Sequence, residues 1–310
     1  MWVDNLKAFG IAVVILGHIS SPFGEFIYSW HMPLFFVLGG FFIRVELGIK
    51  EFFVKDFKRL MIPYFVFALI AILLESFKRL LLNRESLDYS YELLSVFVWM
   101  DMSSLKNTYA FVLWFLPALW LSRLMVYMFR KHIEIRYLQF LIVACLFSLS
   151  FYFNSPLALD NALNAVLFVY LGNIIYNANL SYRMLTTPLL LLMLLLIVLI
   201  YTYAGVPLLD VASKSYQSIP INILWSILIV CFLISVFKRL GVVNDTLRLW
   251  GRNTLFLFII HPYTNNISHI FVEKIQFGGW FFKISISLLI LHVLLIIRNR
   301  FEGKGIFKYV

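Results

Sequence analysis

Long apolar runs separated by short polar and basic clusters set the pattern of this chain from Leu6 to Ile297. A helix needs about 20 predominantly apolar residues to cross a bilayer. Ten segments approach that requirement: Leu6–Ser21, His31–Ile43, Leu60–Ser76, Tyr109–Phe129, Leu138–Phe153, Ala158–Tyr176, Pro188–Tyr203, Ile219–Phe237, Thr254–Ile270 and Trp280–Ile297. The second is short and extends outward through Phe26 or inward past Arg44. Glu92–Met100 is apolar but too short to span, and predicts an interfacial helix between the third and fourth spans. Barrel strands would be about half as long and alternating, so helices are the way these segments satisfy their backbone in lipid. The expected fold is all-α: a polytopic membrane helical bundle of about ten transmembrane helices, forming a single domain over residues 1–310.

Composition agrees with this pattern. Hydrophobic residues make up 62% of the chain and charged residues 14%, against roughly 45–50% and about 25% in soluble proteins. That excess excludes a soluble enzyme, a secreted disulfide scaffold and a disordered chain. Cys145 and Cys231 both lie inside apolar runs and are expected to be small buried hydrophobes. The net charge of +10 would suit a nucleic-acid partner, but its distribution argues for membrane lipids and against nucleic acid. With the N-terminus cytoplasmic, 19 of the 26 Lys and Arg residues fall on inner segments and 7 on outer ones. Such a bias predicts that both termini are cytoplasmic, which an even number of spans satisfies. No cleavable signal peptide is expected, since the first span ends at Ser20, Ser21, Pro22 without a small-x-small site.

Ionisable groups inside spans are costly and point to function unless packing explains them. The first span carries Asp4, Lys7 and His18. Lys7 and His18 are eleven residues apart, about 16 Å and about three helical turns, so they share a face. The loop Pro22–Trp30 returns the chain near the depth of His18, which brings His31 within range. His261 precedes Pro262 in the ninth span, where a kink can open a cavity. Each histidine also has a plainer reading: packing for His18 and His261, an interfacial helix start for His31. Glu75 is expected to be a solvated helix end. The run Lys55–Asp56–Phe57–Lys58–Arg59 marks an inner face, binds anionic lipid, or holds a phosphate-rich ligand. Arg123 either serves that same ligand or snorkels. Trp114–Phe115–Leu116–Pro117 reads as aromatic packing. The cysteine and histidine spacings form no recognisable metal set, and there is no phosphate-cradling glycine loop or Gly-x-Ser-x-Gly elbow.

Taken in order, several segments resemble acyltransferase family 3, the integral-membrane O-acyltransferases of bacterial surface glycans. Asp4-Asn5-Leu6-Lys7-Ala8-Phe9 running to His18 is similar to that family's Asp-x-Leu-Arg/Lys start and its histidine eleven residues after the basic residue. His31-Met32-Pro33-Leu34-Phe35-Phe36 with Gly39-Gly40 is similar to its Phe-Phe-x-x-Ser-Gly stretch, with Gly39 in place of the serine. Lys58-Arg59-Leu60-Met61-Ile62-Pro63-Tyr64 is similar to its Arg-Leu-x-x-Pro-Tyr. Asp56 stands where many members have a second arginine. Trp114-Phe115-Leu116-Pro117-Ala118 and Gly251-Arg252-Asn253-Thr254 through His261 complete the set. The chain most resembles the fucose 4-O-acetylase-like and enterobacterial-antigen O-acetylase subgroup.

The resemblance implies a protein of the bacterial inner (cytoplasmic) membrane. It would move an acetyl or other short acyl group from cytosolic acetyl-CoA, a co-substrate, to a sugar hydroxyl of a surface glycan or lipid-linked saccharide. Lys7, Lys58, Arg59 and Arg123 would hold the CoA phosphates. His18, His261 and His31 would supply the catalytic base or an acyl carrier. The competing expectation is a polytopic transporter or lipid-linked-saccharide flippase with proton-relaying histidines. The two halves show no internal pseudo-symmetry in its favour.

Overall fold

Helix α1 (Trp2–Gly17) turns through a short helix, α2 (Gly24–Tyr28), into α3 (His31–Phe41). The computed structural model describes residues 2–177, 186–241, 244–275 and 279–301. Next come α4 (Ile49–Leu81) and α5 (Tyr89–Leu94), the latter running on as a π-helical turn over Ser95–Trp99. A 3₁₀ turn, Tyr109–Trp114, feeds α6 (Phe115–His132), followed by α7 (Arg136–Leu149) and α8 (Leu159–Asn177). After α9 (Thr187–Ala204), a hairpin pairs β1 (Leu209–Asp210) antiparallel with β2 (Ser215–Tyr216). The chain closes with α10 (Ile219–Leu240), α11 (Asp245–Arg252), α12 (Thr254–Ile275) and α13 (Gly279–Arg300).

Among the described residues, six helical stretches are long and apolar enough to cross a membrane: Ile49–Leu81, Tyr109–His132, Pro156–Asn177, Thr187–Ala204, Ile219–Leu240 and Gly279–Arg300. The other four expected spans are also helical but depart from the simple pattern. α1, α3 and α7 have 16, 11 and 14 residues, and α12 is interrupted by His261, Asn265, Asn266 and His269. The physical reason is position in the bundle. At 1.5 Å per residue, α3 is only about 16 Å long, but it is almost wholly buried by other helices. Irregular backbone at membrane depth is tolerated where protein covers it. Of the apolar window in each helix, 83% is buried in α8 but 11% in α9 and 17% in α13. α3 and α8 therefore form the centre, and α9 and α13 the lipid-facing perimeter.

Three expectations need correction. The span expected at Leu60–Ser76 is the middle of the 33-residue α4, about 50 Å long and longer than a hydrocarbon core of about 30 Å; its first turns project outside with Lys50, Lys55 and Lys58 exposed. Cys145 is exposed on α7, whereas Cys231 is buried. Glu75 is buried, not solvated, and forms ion pairs with Lys78 and Arg79. Arg183, Lys304 and Lys308, part of the inner basic count, lie outside the described residues.

The central contact, α3 on α8, depends on glycine. A Cβ on Gly172 would collide with the carbonyl of Val37, and one on Gly40 with the carbonyl of Val169. The two backbones thus meet directly, and Asn173 Nδ2 donates to the Gly40 carbonyl at 3.2 Å. Gly172→Ala is expected to lower stability by about 1–3 kcal/mol, the usual cost of overpacking. It should appear as a lower unfolding temperature in detergent, with Gly24→Ala, which meets no atom within 4 Å, leaving that temperature unchanged.

Candidate functional site

Two cavities lie along the face of α1 that carries Lys7 and His18. The first, about 370 Å³, is lined by three basic side chains, Lys7 of α1, Arg59 of α4 and Arg252 of α11, with Phe42, Leu116 and Phe258 among its apolar walls. Lys7 Nζ sits 5.1 Å from the centre of the Phe42 ring. Arg252 is brought beside Lys7 because Gly251 packs directly on the backbone of Asp4, a contact that any Cβ would block. Lys58 is exposed and lies outside this lining.

Arg123 does not behave as a ligand-holding arginine. It is 1% exposed, and all its nitrogens donate to protein acceptors. Nε and Nη2 grip Asp56 at 2.6 and 3.2 Å, Nη1 donates to the Gly39 carbonyl, and Nη2 donates also to Phe42. The physical reason is the Asp56 carboxylate on α4, which supplies a buried counter-charge where an arginine would have repelled it. Gly39 and Phe42 line the basic cavity, so Arg123 holds its wall.

The second cavity, about 720 Å³, is lined by His18, Tyr28, His31, Trp114, Lys106 and Asp210, among others. The two cavities share Met32 and Phe258. Two of the three histidines predicted to matter, His18 and His31, line this cavity, and His261 lies beside His18. The His18 and His261 ring centres are 5.1 Å apart, and Tyr28 lies between His18 and His31, with its hydroxyl 3.1 Å from His18 Nδ1 and its ring 5.1 Å from that of His31. His18 is exposed, whereas His31 and His261 are buried. On the other side of His18, a third cavity of about 300 Å³ is lined by His261, Tyr109, Asn266 and Lys283.

Local sequence sets the histidine tautomers. Pro262 has no N–H, so it leaves the Phe258 carbonyl without its helical partner. His261 Nδ1–H donates to that carbonyl at 2.6 Å. Its Nε2 is then a lone pair, buried and with no hydrogen-bond partner among the described residues. His31 Nδ1–H donates likewise to the Ile27 carbonyl at 2.9 Å. In the segment between α1 and α3, burial and then the Asp210 carboxylate hold the Tyr28 phenol above its ordinary pKa, so it keeps its proton.

Sequence reasoning passed over Tyr28 and Arg252. Arg252 carried a readable signal, an inner-face basic residue beside a glycine at the foot of the His261 helix. Tyr28 carried none, because it meets His18 only through the turn at α2. The stretch around Trp114 packs as expected, with Phe115 4.9 Å from Phe36 and 5.5 Å from Phe258, ring centre to ring centre.

A family model described as an acyltransferase domain, that of acyltransferase family 3, matches residues 1–298. No curated protein and no solved structure matches the chain.

The Arg123–Asp56 pair can be tested without any ligand. Removing one partner of a buried ion pair typically costs about 3–5 kcal/mol. Asp56→Ala is therefore expected to destabilise the folded protein strongly in a thermal or denaturant melt, while Lys55→Ala, one residue earlier and exposed, changes it little.

Proposed function

The chain belongs to acyltransferase family 3, and from that premise we propose that it moves an acetyl or other short acyl group from cytosolic acyl-CoA to a sugar hydroxyl of a surface glycan or lipid-linked saccharide, across the inner membrane of a bacterial cell. The observation that carries this reading is the meeting of a basic cavity and a histidine cavity at Met32 and Phe258. Lys7, Arg59 and Arg252 suit the phosphates of CoA, through charge-assisted hydrogen bonds, with Lys58 on the rim. Arg123, whose nitrogens all donate to protein acceptors, is assigned to the wall of their site. The bias of basic residues supports a cytoplasmic position for this cavity and for both termini. From Lys7 to His18 is about 16 Å along the helix, a distance suited to an extended thioester arm that passes Met32 and Phe258.

At the far end, the acceptor hydroxyl oxygen attacks the acyl carbonyl carbon. His18 takes the hydroxyl proton as the new C–O bond forms. The thioester C–S bond then breaks, and the CoA thiolate leaves and takes up a proton. His18 Nδ1–H pointing to the Tyr28 hydroxyl leaves Nε2 as the base. His261, 5.1 Å away, and His31 complete the imidazole cluster around this base.

His18→Ala is expected to lower transfer from labelled acetyl-CoA by about 10²–10⁴-fold, read as CoA released by purified protein, with acetyl-CoA still bound. Near-normal release would remove His18 from the chemistry, and saccharide movement across vesicles without CoA release would favour the transporter.

Arg59→Ala is expected to weaken acetyl-CoA binding by about 1.5–3 kcal/mol, the worth of a charged hydrogen bond, measured by equilibrium titration. An unchanged Kd would leave the cluster as a topology signal only.

A further inference from the structure

Beyond His18, at the outer end of the bundle, lies another chamber of about 590 Å³ that shares Met102, Ser103 and Ala212 with the histidine cavity. Tyr91 of α5 and Trp99 of the π-helical turn form its aromatic side, and each is 40% exposed. Asp101, Asp160, Asn161 and Lys214 form its polar side.

Backbone strain concentrates around this chamber. Five non-glycine residues among those described have positive φ, and four of them flank it: Met100 at 62°, Leu157 at 61°, Ala158 at 49° and Lys214 at 55°. Long side chains rarely adopt that region, and such conformations gather where function holds them. Met100 joins the π-helical turn that carries Trp99 to Asp101. Such turns are also frequent at functional sites.

The chemistry of the walls selects a ligand. Lys214 Nζ is already held by Asp160, by Asn154 Oδ1 at 2.9 Å and by the Phe153 carbonyl at 3.1 Å. Its charge is matched by Asp160, so no unbalanced cation invites an anion. Asp101 Oδ1 accepts from Ser103 Oγ and from Ser104 N, both at 2.7 Å, and Asn161 Nδ2 donates to the Ala212 carbonyl at 2.8 Å, which leaves Asp101 Oδ2 and Asn161 Oδ1 as hydroxyl-type partners beside two open aromatic rings. A neutral sugar fits this combination, with hydroxyls for the polar side and an apolar ring face for the indole and phenol.

We propose that this chamber is a second sugar subsite, so that the acceptor is a neutral oligosaccharide held by one ring at His18 and by another between Tyr91 and Trp99. The proposal rests on the acyltransferase reading of the His18 cavity. It implies that a single sugar uses only half of the available site.

Binding tests this apart from catalysis. The full chain in lipid nanodiscs, free of glycoside detergents, is titrated with maltotetraose, cellotetraose and chitotetraose and with glucose and N-acetylglucosamine, followed by saturation-transfer NMR. At least one tetrasaccharide is expected to bind about tenfold or more tighter than its monosaccharide. Trp99→Ala should weaken that tetrasaccharide about fivefold, the scale of one aromatic contact, and leave the monosaccharide unchanged. Trp99→Phe should restore binding, which a merely structural defect would not allow. Failure of every tetrasaccharide to bind, or binding indifferent to both Trp99→Ala and Tyr91→Ala, overturns the subsite. CoA release is measured separately. Trp99-dependent binding without His18-dependent release would keep the subsite and overturn the acyltransferase reading of His18.

Discussion

Inside an apolar bundle an ionised group needs a partner, and the Arg123–Asp56 pair is where that constraint organises the molecule. Arg123 on α6 bonds Asp56 on α4 and the Gly39 and Phe42 carbonyls around the end of α3. Three helices are thereby fixed at one point. Arg59, three residues after Asp56 on the same helix, is carried with it to the basic cavity that Gly39 and Phe42 also line. The donors of Arg123 are spent on protein, and this lets the neighbouring basic groups stay open to a ligand. The arrangement has a stability cost in desolvation, but it defines the wall of the cavity by directional bonds.

A second fixed point is the backbone contact of α3 with α8 through Gly40 and Gly172. It sets the height of α3, and with it His31 at one end and Met32 at the junction of the two cavities. On the opposite wall, Pro262 frees the Phe258 carbonyl, and His261 takes that carbonyl as its hydrogen-bond partner. Phe258 is thus both the partner that fixes a histidine tautomer and, with Met32, the side chain between the basic and the histidine cavities. Packing and proton placement are set by the same few residues.

Much of this was legible in the sequence. Apolar run length marked the six described helices long and apolar enough to cross a membrane, and the short α1 and α3 as well, because burial in lipid or in other helices demands the same apolar side chains. The eleven-residue spacing of Lys7 and His18 put both on one helical face, and each now lines one of two adjoining cavities. The ordered motifs pointed to the family that matches residues 1–298. Length alone misled for α4, since an apolar window marks only the part of a helix inside the membrane and says nothing of the charged turns that extend it.

What one helix's sequence determines is its own length, hydropathy and the phase of its polar residues, because these follow from a 3.6-residue repeat and the solvent each face meets. What tertiary structure alone decided is which polar groups become partners. Arg123 and Asp56 are 67 positions apart, Gly251 meets Asp4, and Tyr28 meets His18 through a turn. Read alone, Arg123 fitted either a phosphate ligand or a snorkelling side chain, and Glu75 a solvated end; both are buried and ion-paired. A charge in a span announces that it needs a counter-charge, but the identity of that counter-charge depends on how helices cross, and the crossing depends on close backbone contacts that no single helix records.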